Sequence, residues 1–112
     1  MTISLDKIKM TVIQTAENGV VNRETVFDFT QTKDFVIAEY KGGRIKKGLL
    51  VGTINGNELK FRYCQIQTDN KVDKGVSSCE LSINDKGKIR LIEHFEWKSK
   101  QGETGTNIFE EI

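Results

Sequence analysis

The sequence predicts an all-β fold, an antiparallel up-and-down meander of about eight strands that closes into a small barrel. Pairs of turn-forming residues, such as Asn18-Gly19, Gly42-Gly43 and Asn55-Gly56, recur along the chain and separate runs rich in β-branched and aromatic residues. No segment has the 3.6-residue apolar period of a helix. Proline is absent, and most of the ten glycines fall at turns, where glycine is favoured.

Eight runs are predicted to form the strands. They are Ile8–Ala16, Val20–Gln31, Phe35–Tyr40, Ile45–Ile54, Glu58–Gln67, Val72–Ile83, Lys88–Lys98 and Gly105–Ile112. Short connections favour an up-and-down order, and closure would remove the edges of an open sheet. The whole chain, residues 1–112, is then one domain, similar to the small calycin and lipocalin barrels. An open sheet or a two-sheet sandwich with the same hairpins is the alternative.

The first hairpin has a register that can be checked on both faces. With Asn18-Gly19 as a two-residue loop, Met10 lies opposite Phe27 on the apolar face. On the other face Lys9 lies opposite Asp28, which is a favourable cross-strand pair. Agreement on both faces favours this register, since a slip of one residue would exchange them.

Neighbouring turns imply conflicting inner faces in the fourth and sixth runs. The Gly42-Gly43 turn directs Gly48 outward, whereas the Asn55-Gly56 turn directs it inward, beneath aromatic side chains. A β-bulge at Lys46-Lys47 would reconcile the two turns. A second bulge within Lys74–Ser78 would do the same for the sixth run. Bulges of this kind help a sheet to curl and close.

Composition and charge exclude several function classes. The formal net charge is +1, so we expect no nucleic acid and no membrane as a partner. No apolar run approaches the ~18 residues of a transmembrane helix. Residues 1–7 lack the pattern of a secretory signal, so we expect a cytoplasmic location. Cys64 and Cys79 are predicted to be free thiols packed as small hydrophobes, because their hairpin register keeps them too far apart for a disulfide.

Several patterns resemble those of a family of short bacterial proteins. They are Glu24-Thr25-x-Phe27, Ala38-x-Tyr40-x-Gly42-Gly43, Leu59-x-Phe61-x-Tyr63, Gly87-Lys88-Ile89-Arg90-Leu91 and Glu110-Glu111-Ile112. Members of this family are often labelled "N-acetylglutamate synthase", so the resemblance implies an acyltransferase but no particular catalytic residue. The nearest match to a loop that binds coenzyme A, Arg44–Gly48, lies within a predicted strand and precedes no helix.

Polar side chains on the predicted inner face form the candidate ligand site. Arg23 and Glu93 interrupt an otherwise aromatic and aliphatic face, where a charge is costly unless it has partners. Glu93 is either a buried carboxylate held by arginine, tyrosine or glutamine partners, or a group that lines a cavity. The candidate ligand-binding residues are Arg23, Tyr40, Tyr63, Gln65, Glu93 and Trp97.

The residue types of common catalytic sites are not arranged for catalysis. His94 falls on the predicted outer face, far from a second metal ligand, and Ser77 and Ser78 have no histidine to activate them. We therefore expect no catalytic residue, no metal and no cofactor. The polar segment Lys98–Gly105 is predicted to be a long loop that could act as a lid.

The leading hypothesis is a non-catalytic barrel whose partner is a small, mostly apolar ligand bound in the lumen. The alternative is a protein-interaction module that uses its outer face or an open sheet edge, with an exposed apolar patch around Phe35, Ile37 and Ile92. An acyltransferase ranks third. The sequence predicts neither the identity of the ligand nor the oligomeric state.

Overall fold

A computed structural model describes residues 3–98 and 103–112, and these residues form a closed barrel of eight antiparallel strands in chain order. The strands are β1 (Ile8–Gln14), β2 (Val26–Thr32), β3 (Phe35–Gly42), β4 (Ile45–Asn55), β5 (Glu58–Gln67), β6 (Val72–Ile83), β7 (Ile89–Trp97) and β8 (Thr104–Glu111). Each strand pairs with the next, and β8 pairs with β1 to complete the barrel. No helix occurs in the described residues. The predicted fold class is confirmed.

The core lies inside the barrel, because alternate residues of each strand point inward. In β3, for example, Val36, Ala38 and Tyr40 are buried while their neighbours are exposed. The end of the barrel where β1 begins is filled mainly by apolar side chains. The N-terminal segment adds Leu5 there, and its N–H donates to Gln31 Oε1 at 2.8 Å.

The first hairpin has the predicted register only in the half that lies farther from the connection between its two strands. Residues 8–11 lie opposite residues 26–29 as predicted. Beyond them β1 no longer pairs with β2. Its other edge, which already pairs with β8 at Met10 and Thr11, continues that pairing, so that Val12 lies opposite Phe109. The second strand therefore begins at residue 26 and not at Val20, which is buried in the barrel mouth instead.

Three predicted turns differ in position from the turns that form. There is no two-residue hairpin loop at 18–19, although the Gly19 N–H donates to the Ala16 carbonyl at 2.9 Å in a local turn. The next two loops lie at 43–44 and 56–57, each one residue later than predicted. The second of these turns had predicted Tyr63 opposite Gly48, and this pair does not form, because Tyr63 lies opposite Leu50. The shift instead brings Phe61 opposite Gly52, so an aromatic residue still faces a glycine.

The bulge predicted in β4 is confirmed. Gly42 pairs with Ile45 but Tyr40 pairs with Gly48, so β4 carries one more residue than β3 in this stretch. Pairing with β5 shifts at the same place, between Ile45 and Lys47. Lys46 and Lys47 are consequently both exposed. Lys47 Nζ lies 3.5 Å from the Glu39 carboxylate.

The bulge predicted in β6 is wrong. This strand pairs with β5 and β7 without interruption. The preceding turn has three residues, with Asn70 at a φ of 69° and the Gln67 N–H donating to the Lys71 carbonyl at 2.8 Å. The longer turn reverses the faces at the start of the strand, so Val72 is 59% exposed and Asp73 is buried.

Both cysteines are free thiols, as predicted. They lie on opposite faces of the sheet. Cys64 pairs with Lys74, which is exposed, whereas Cys79 pairs with Leu59, which is buried. Cys79 is buried, but Cys64 is exposed and so is not the packed side chain that was predicted. Among residues 3–98 and 103–112 there is no helix of the length and apolar character needed to cross a membrane.

Candidate functional site

The connection between β1 and β2, residues 15–25, covers one end of the barrel, and we call it the β1–β2 lid. This end, the mouth, is where β1 and β7 finish and β2 and β8 begin. The lid contributes two buried apolar side chains, Val20 and Val21, each 7% exposed. They close the mouth from above.

Hydrogen bonds to side chains fasten the lid to two opposite parts of the rim. On the β8 side, the Ala16 N–H donates to Asn107 Oδ1 at 2.8 Å. On the β3 side, the buried Thr25 hydroxyl donates to the Gly42 carbonyl at 3.1 Å and accepts from the Asn22 N–H at 3.1 Å. None of the residues 15–25 belongs to a strand, so the lid has no ladder of backbone hydrogen bonds.

A small cavity lies directly beneath the lid. Its lining residues are Gly19, Val20, Val21, Phe27, Tyr40, Leu50, Phe61, Tyr63, Gln65, Glu93, Phe95, Trp97 and Asn107. Its volume of about 30 Å³ is close to the share of one water molecule in the liquid. The lumen is therefore almost filled while the lid is closed, and this space is smaller than the leading hypothesis predicts.

Glu93 is the charged side chain that faces this cavity, and its partners are both neutral. The Ser77 hydroxyl donates to Glu93 Oε2 at 2.6 Å, and Asn107 Nδ2 donates to Oε1 at 3.0 Å. Burial raises the pKa of Glu93, although the two hydrogen bonds act in the opposite direction. The arginine, tyrosine and glutamine partners predicted for this carboxylate are not the ones that bind it.

A second carboxylate, Asp73, organises the remaining polar groups of the inner face. The Tyr40 hydroxyl donates to Gln65 Oε1 at 2.8 Å, and Gln65 Nε2 donates in turn to Asp73 Oδ2 at 3.2 Å. Gln67 Nε2 donates to the same oxygen at 2.7 Å. Asp73 is 4% exposed. This chain of bonds fixes the orientation of the Tyr40 and Gln65 side chains at the cavity.

Six of the thirteen residues that line the cavity are aromatic. Phe27 stacks on Tyr40 with ring centroids 4.2 Å apart. Trp97 lies edge-on to Phe95 at 5.6 Å and to Tyr63 at 6.0 Å. Burial raises the pKa of the Tyr63 hydroxyl. The site thus combines apolar faces with a few oriented polar groups, as ligand sites commonly do.

Five of the six residues predicted for the site line this cavity. They are Tyr40, Tyr63, Gln65, Glu93 and Trp97. The prediction that Arg23 lies in the lumen is wrong, because the pairing of β1 with β2 ends before it. Arg23 is exposed on the lid, where Nη2 donates to the Ile13 carbonyl at 3.2 Å. That the five residues contact a ligand stays a prediction.

The lid, Asp73, Ser77 and Asn107 are the parts of the site that were missed. A signal for Asn107 was present, since it lies two residues from Phe109 and so on the same inner face. The lid carries a weaker signal, because Val20 and Val21 are adjacent apolar residues and do not alternate as a half-buried strand does. The segment Lys98–Gly105, proposed as a lid, falls partly outside the described residues.

The outer face has a different character. His94 is exposed there as predicted, 3.2 Å from the Thr106 hydroxyl. An open groove of about 880 Å³ crosses the outside of β4–β8 and is bordered by Phe35 and Val51, which are 43% and 59% exposed. Within the described parts of the chain, no three His, Cys, Asp or Glu side chains are grouped to hold a metal ion.

The buried carboxylate predicts a dependence of stability on pH. Because the pKa of Glu93 is raised from 4.5, the folded protein holds this proton more tightly than the unfolded chain does. The stabilisation is complete below pH 4.5 and is lost as the pH rises through the pKa of the folded state. We expect Glu93→Gln to remove this loss, as measured by urea unfolding from about pH 4 to about pH 8.

An exposed glutamate on the neighbouring strand provides the control for this experiment. Glu80→Gln changes the same chemical group on β6, where the side chain is exposed, and its unfolding free energy should follow that of the wild type at every pH. If the unfolding free energies of the wild type and of Glu93→Gln change with pH in the same way, burial does not raise the pKa of Glu93.

An eight-stranded up-and-down barrel with an aromatic-lined lumen and polar groups at one mouth is a calycin-like barrel. The chain belongs to the avidin-like family, since the family model described as avidin-like protein matches residues 3–112. No curated protein and no solved structure matches the chain. The match supports the expected small all-β family and does not address the "N-acetylglutamate synthase" label.

Proposed function

We propose that this protein is a non-catalytic barrel that binds a small molecule in its lumen, beneath the β1–β2 lid. The observation that supports this most is the uneven distribution of polar groups inside the barrel. Glu93, Gln65 and Tyr40 meet at the aromatic cavity under the mouth, whereas the opposite end is mainly apolar. Buried polar groups cost free energy, so a core needed only for packing would be apolar throughout. Membership of the avidin-like family is a second support.

Ligand binding requires the lid to move, because the closed cavity has room for about one water molecule. Val20 and Val21 occupy the space through which a ligand would pass. The lid lacks strand pairing and depends on a few side-chain hydrogen bonds, so opening it leaves the barrel ladder intact. Segments with few backbone hydrogen bonds are the ones that open locally at low free energy.

A screen of small metabolites by thermal unfolding, followed by fluorescence titration, tests this proposal. Trp97 is the single tryptophan of the sequence and lines the cavity, so its emission reports occupancy of the lumen. We expect at least one compound to change this emission and to stabilise the protein by about 2.7 kcal/mol at 100 times its Kd. Val21→Ala, which widens the cavity, should bind that compound more tightly.

Val72→Ala is the matched control, because it removes the same methyl groups from a valine that is 59% exposed. Its affinity should equal that of the wild type. If no compound changes the Trp97 emission of the wild type or of Val21→Ala, lumen binding is wrong. An oligomer in solution would then favour the second candidate, a protein-interaction surface on β3 and β4. Four apolar side chains are exposed there, namely Phe35, Ile37, Leu49 and Val51.

An acyltransferase does not form part of this proposal. The segment that resembles a coenzyme A loop, Arg44–Gly48, forms part of the β3–β4 turn and the bulge of β4. Loops that bind pyrophosphate present successive N–H groups at the start of a helix, and no described residue is helical. The cytoplasmic location stays a prediction.

A further inference from the structure

We propose, on the basis of the lumen site above, that the ligand carries a positively charged nitrogen, such as an ammonium group, which lies between Glu93 and the aromatic wall. The sequence led us to expect a mostly apolar ligand. The ligand proposed now has an apolar body and one cationic group. Three features of the cavity support this class of ligand: its carboxylate, its aromatic rings and a tyrosine hydroxyl in its wall.

The two carboxylates inside the barrel have no buried cationic partner among the described residues, although the exposed His94 lowers the pKa of Glu93 through its charge. Of the described residues, Asp73 and Glu93 are the buried ionisable carboxylates, and no described lysine, arginine or histidine is buried. Both carboxylates also raise the pKa of Tyr40 and Tyr63, after burial itself, so their field reaches the cavity from two sides. Buried charges in proteins are generally paired with an opposite charge, and in this lumen a ligand is the available source of a cation.

The aromatic wall is suited to the same cation. Trp97 packs edge-on to Phe95 and to Tyr63, with ring centroids 5.6 and 6.0 Å apart. An ammonium group is attracted to ring faces within about 6 Å, most strongly where it is desolvated, and tryptophan is the best of the three ring types. Because these rings and Glu93 line the same cavity, a cation bound there would be attracted both by the ring faces and by the carboxylate.

The Tyr63 hydroxyl is the third feature. Tyr63 is 8% exposed and lines the cavity. Its hydroxyl oxygen can accept a hydrogen bond from an ammonium group. An anionic ligand would instead meet the Glu93 carboxylate, so carboxylates and phosphates are the least favoured class.

Three probes of the same shape separate charge from packing. They are choline, its neutral carbon analogue 3,3-dimethyl-1-butanol, and the anion 3,3-dimethylbutanoate, each titrated against Trp97 fluorescence in the wild type and in Val21→Ala. We expect choline to bind at least about tenfold more tightly than the neutral analogue, and the anion to bind most weakly. Glu93→Gln should abolish most of this preference, and the exposed control Glu80→Gln should retain it.

The outcomes distinguish this inference from the proposal on which it rests. If the neutral analogue or the anion binds as tightly as choline, the cationic class is wrong but lumen binding stands. The same holds if none of the three probes binds while a neutral metabolite from the screen does. If neither the probes nor any metabolite changes the Trp97 emission, both proposals are wrong. A choline preference that persists in Glu93→Gln would also overturn the inference.

Discussion

Gly52→Ala is expected to lower the free energy of unfolding by about 3 kcal/mol, because the barrel wall has no room for a side chain at this position. A Cβ on Gly52 would overlap the Lys60 carbonyl oxygen and lie 2.6 Å from the Phe61 Cβ. Both obstacles belong to β5, which pairs with β4 along its whole length. Relief would therefore require the two strands to separate. Urea unfolding with a constant m-value would measure the loss.

Gly56→Ala is the matched control for this close approach. Gly56 lies in the next turn with a φ of 63°, and no atom lies within 4 Å of a Cβ built there. Its substitution should cost only the left-handed backbone strain of about 1–2 kcal/mol. If Gly52→Ala costs no more than Gly56→Ala, the tight contact between β4 and β5 is not what limits this position.

Turn chemistry made the eight strands predictable, because each turn pair also ends a run of β-forming residues. It also made the β4 bulge predictable, since two turns demanded opposite faces for Gly48 and only an added residue could satisfy both. The length of each loop was not predictable. A three-residue turn at Asn70 in place of a two-residue turn reversed the faces at the start of β6. This single residue exchanged Val72 for Asp73 on the inner face.

Part of the candidate site was likewise predictable from the sequence and part was not. Tyr40, Tyr63 and Trp97 were found because the alternation along their strands is regular. The lid was not found, because residues around Val20 favour a strand when considered locally. Their burial in the barrel mouth depends on contacts with distant strands, which override local preference. The volume left in the lumen also depends on those two side chains, so it could not be read from the sequence.

Asn107 is expected to be the residue on which the closed mouth depends most. Its amide joins a buried carboxylate to the half-buried backbone of the lid, since Nδ2 donates to Glu93 Oε1 and Oδ1 accepts from the Ala16 N–H. Asn107→Leu keeps the approximate size but removes both bonds. We expect a loss of about 3 kcal/mol in the free energy of unfolding, since a buried carboxylate and a lid N–H each lose a partner. The Ala16 amide should also exchange its hydrogen faster, as the lid opens more often.

Two further variants separate these effects. Asn55→Leu makes the same change at an exposed position on β4 and should alter neither stability nor exchange. Replacing both members of a buried polar pair by apolar groups is far less costly than replacing one, so adding Glu93→Leu to Asn107→Leu should restore part of the stability. It should not slow exchange at Ala16, because the bond from Ala16 to residue 107 is still missing. If the double variant restores both properties, the carboxylate rather than the asparagine holds the lid. If Asn107→Leu changes neither property, the lid is held by its other contacts, which include the Thr25 bond to Gly42 and the bond from Asn18 Nδ2 to the Thr104 carbonyl.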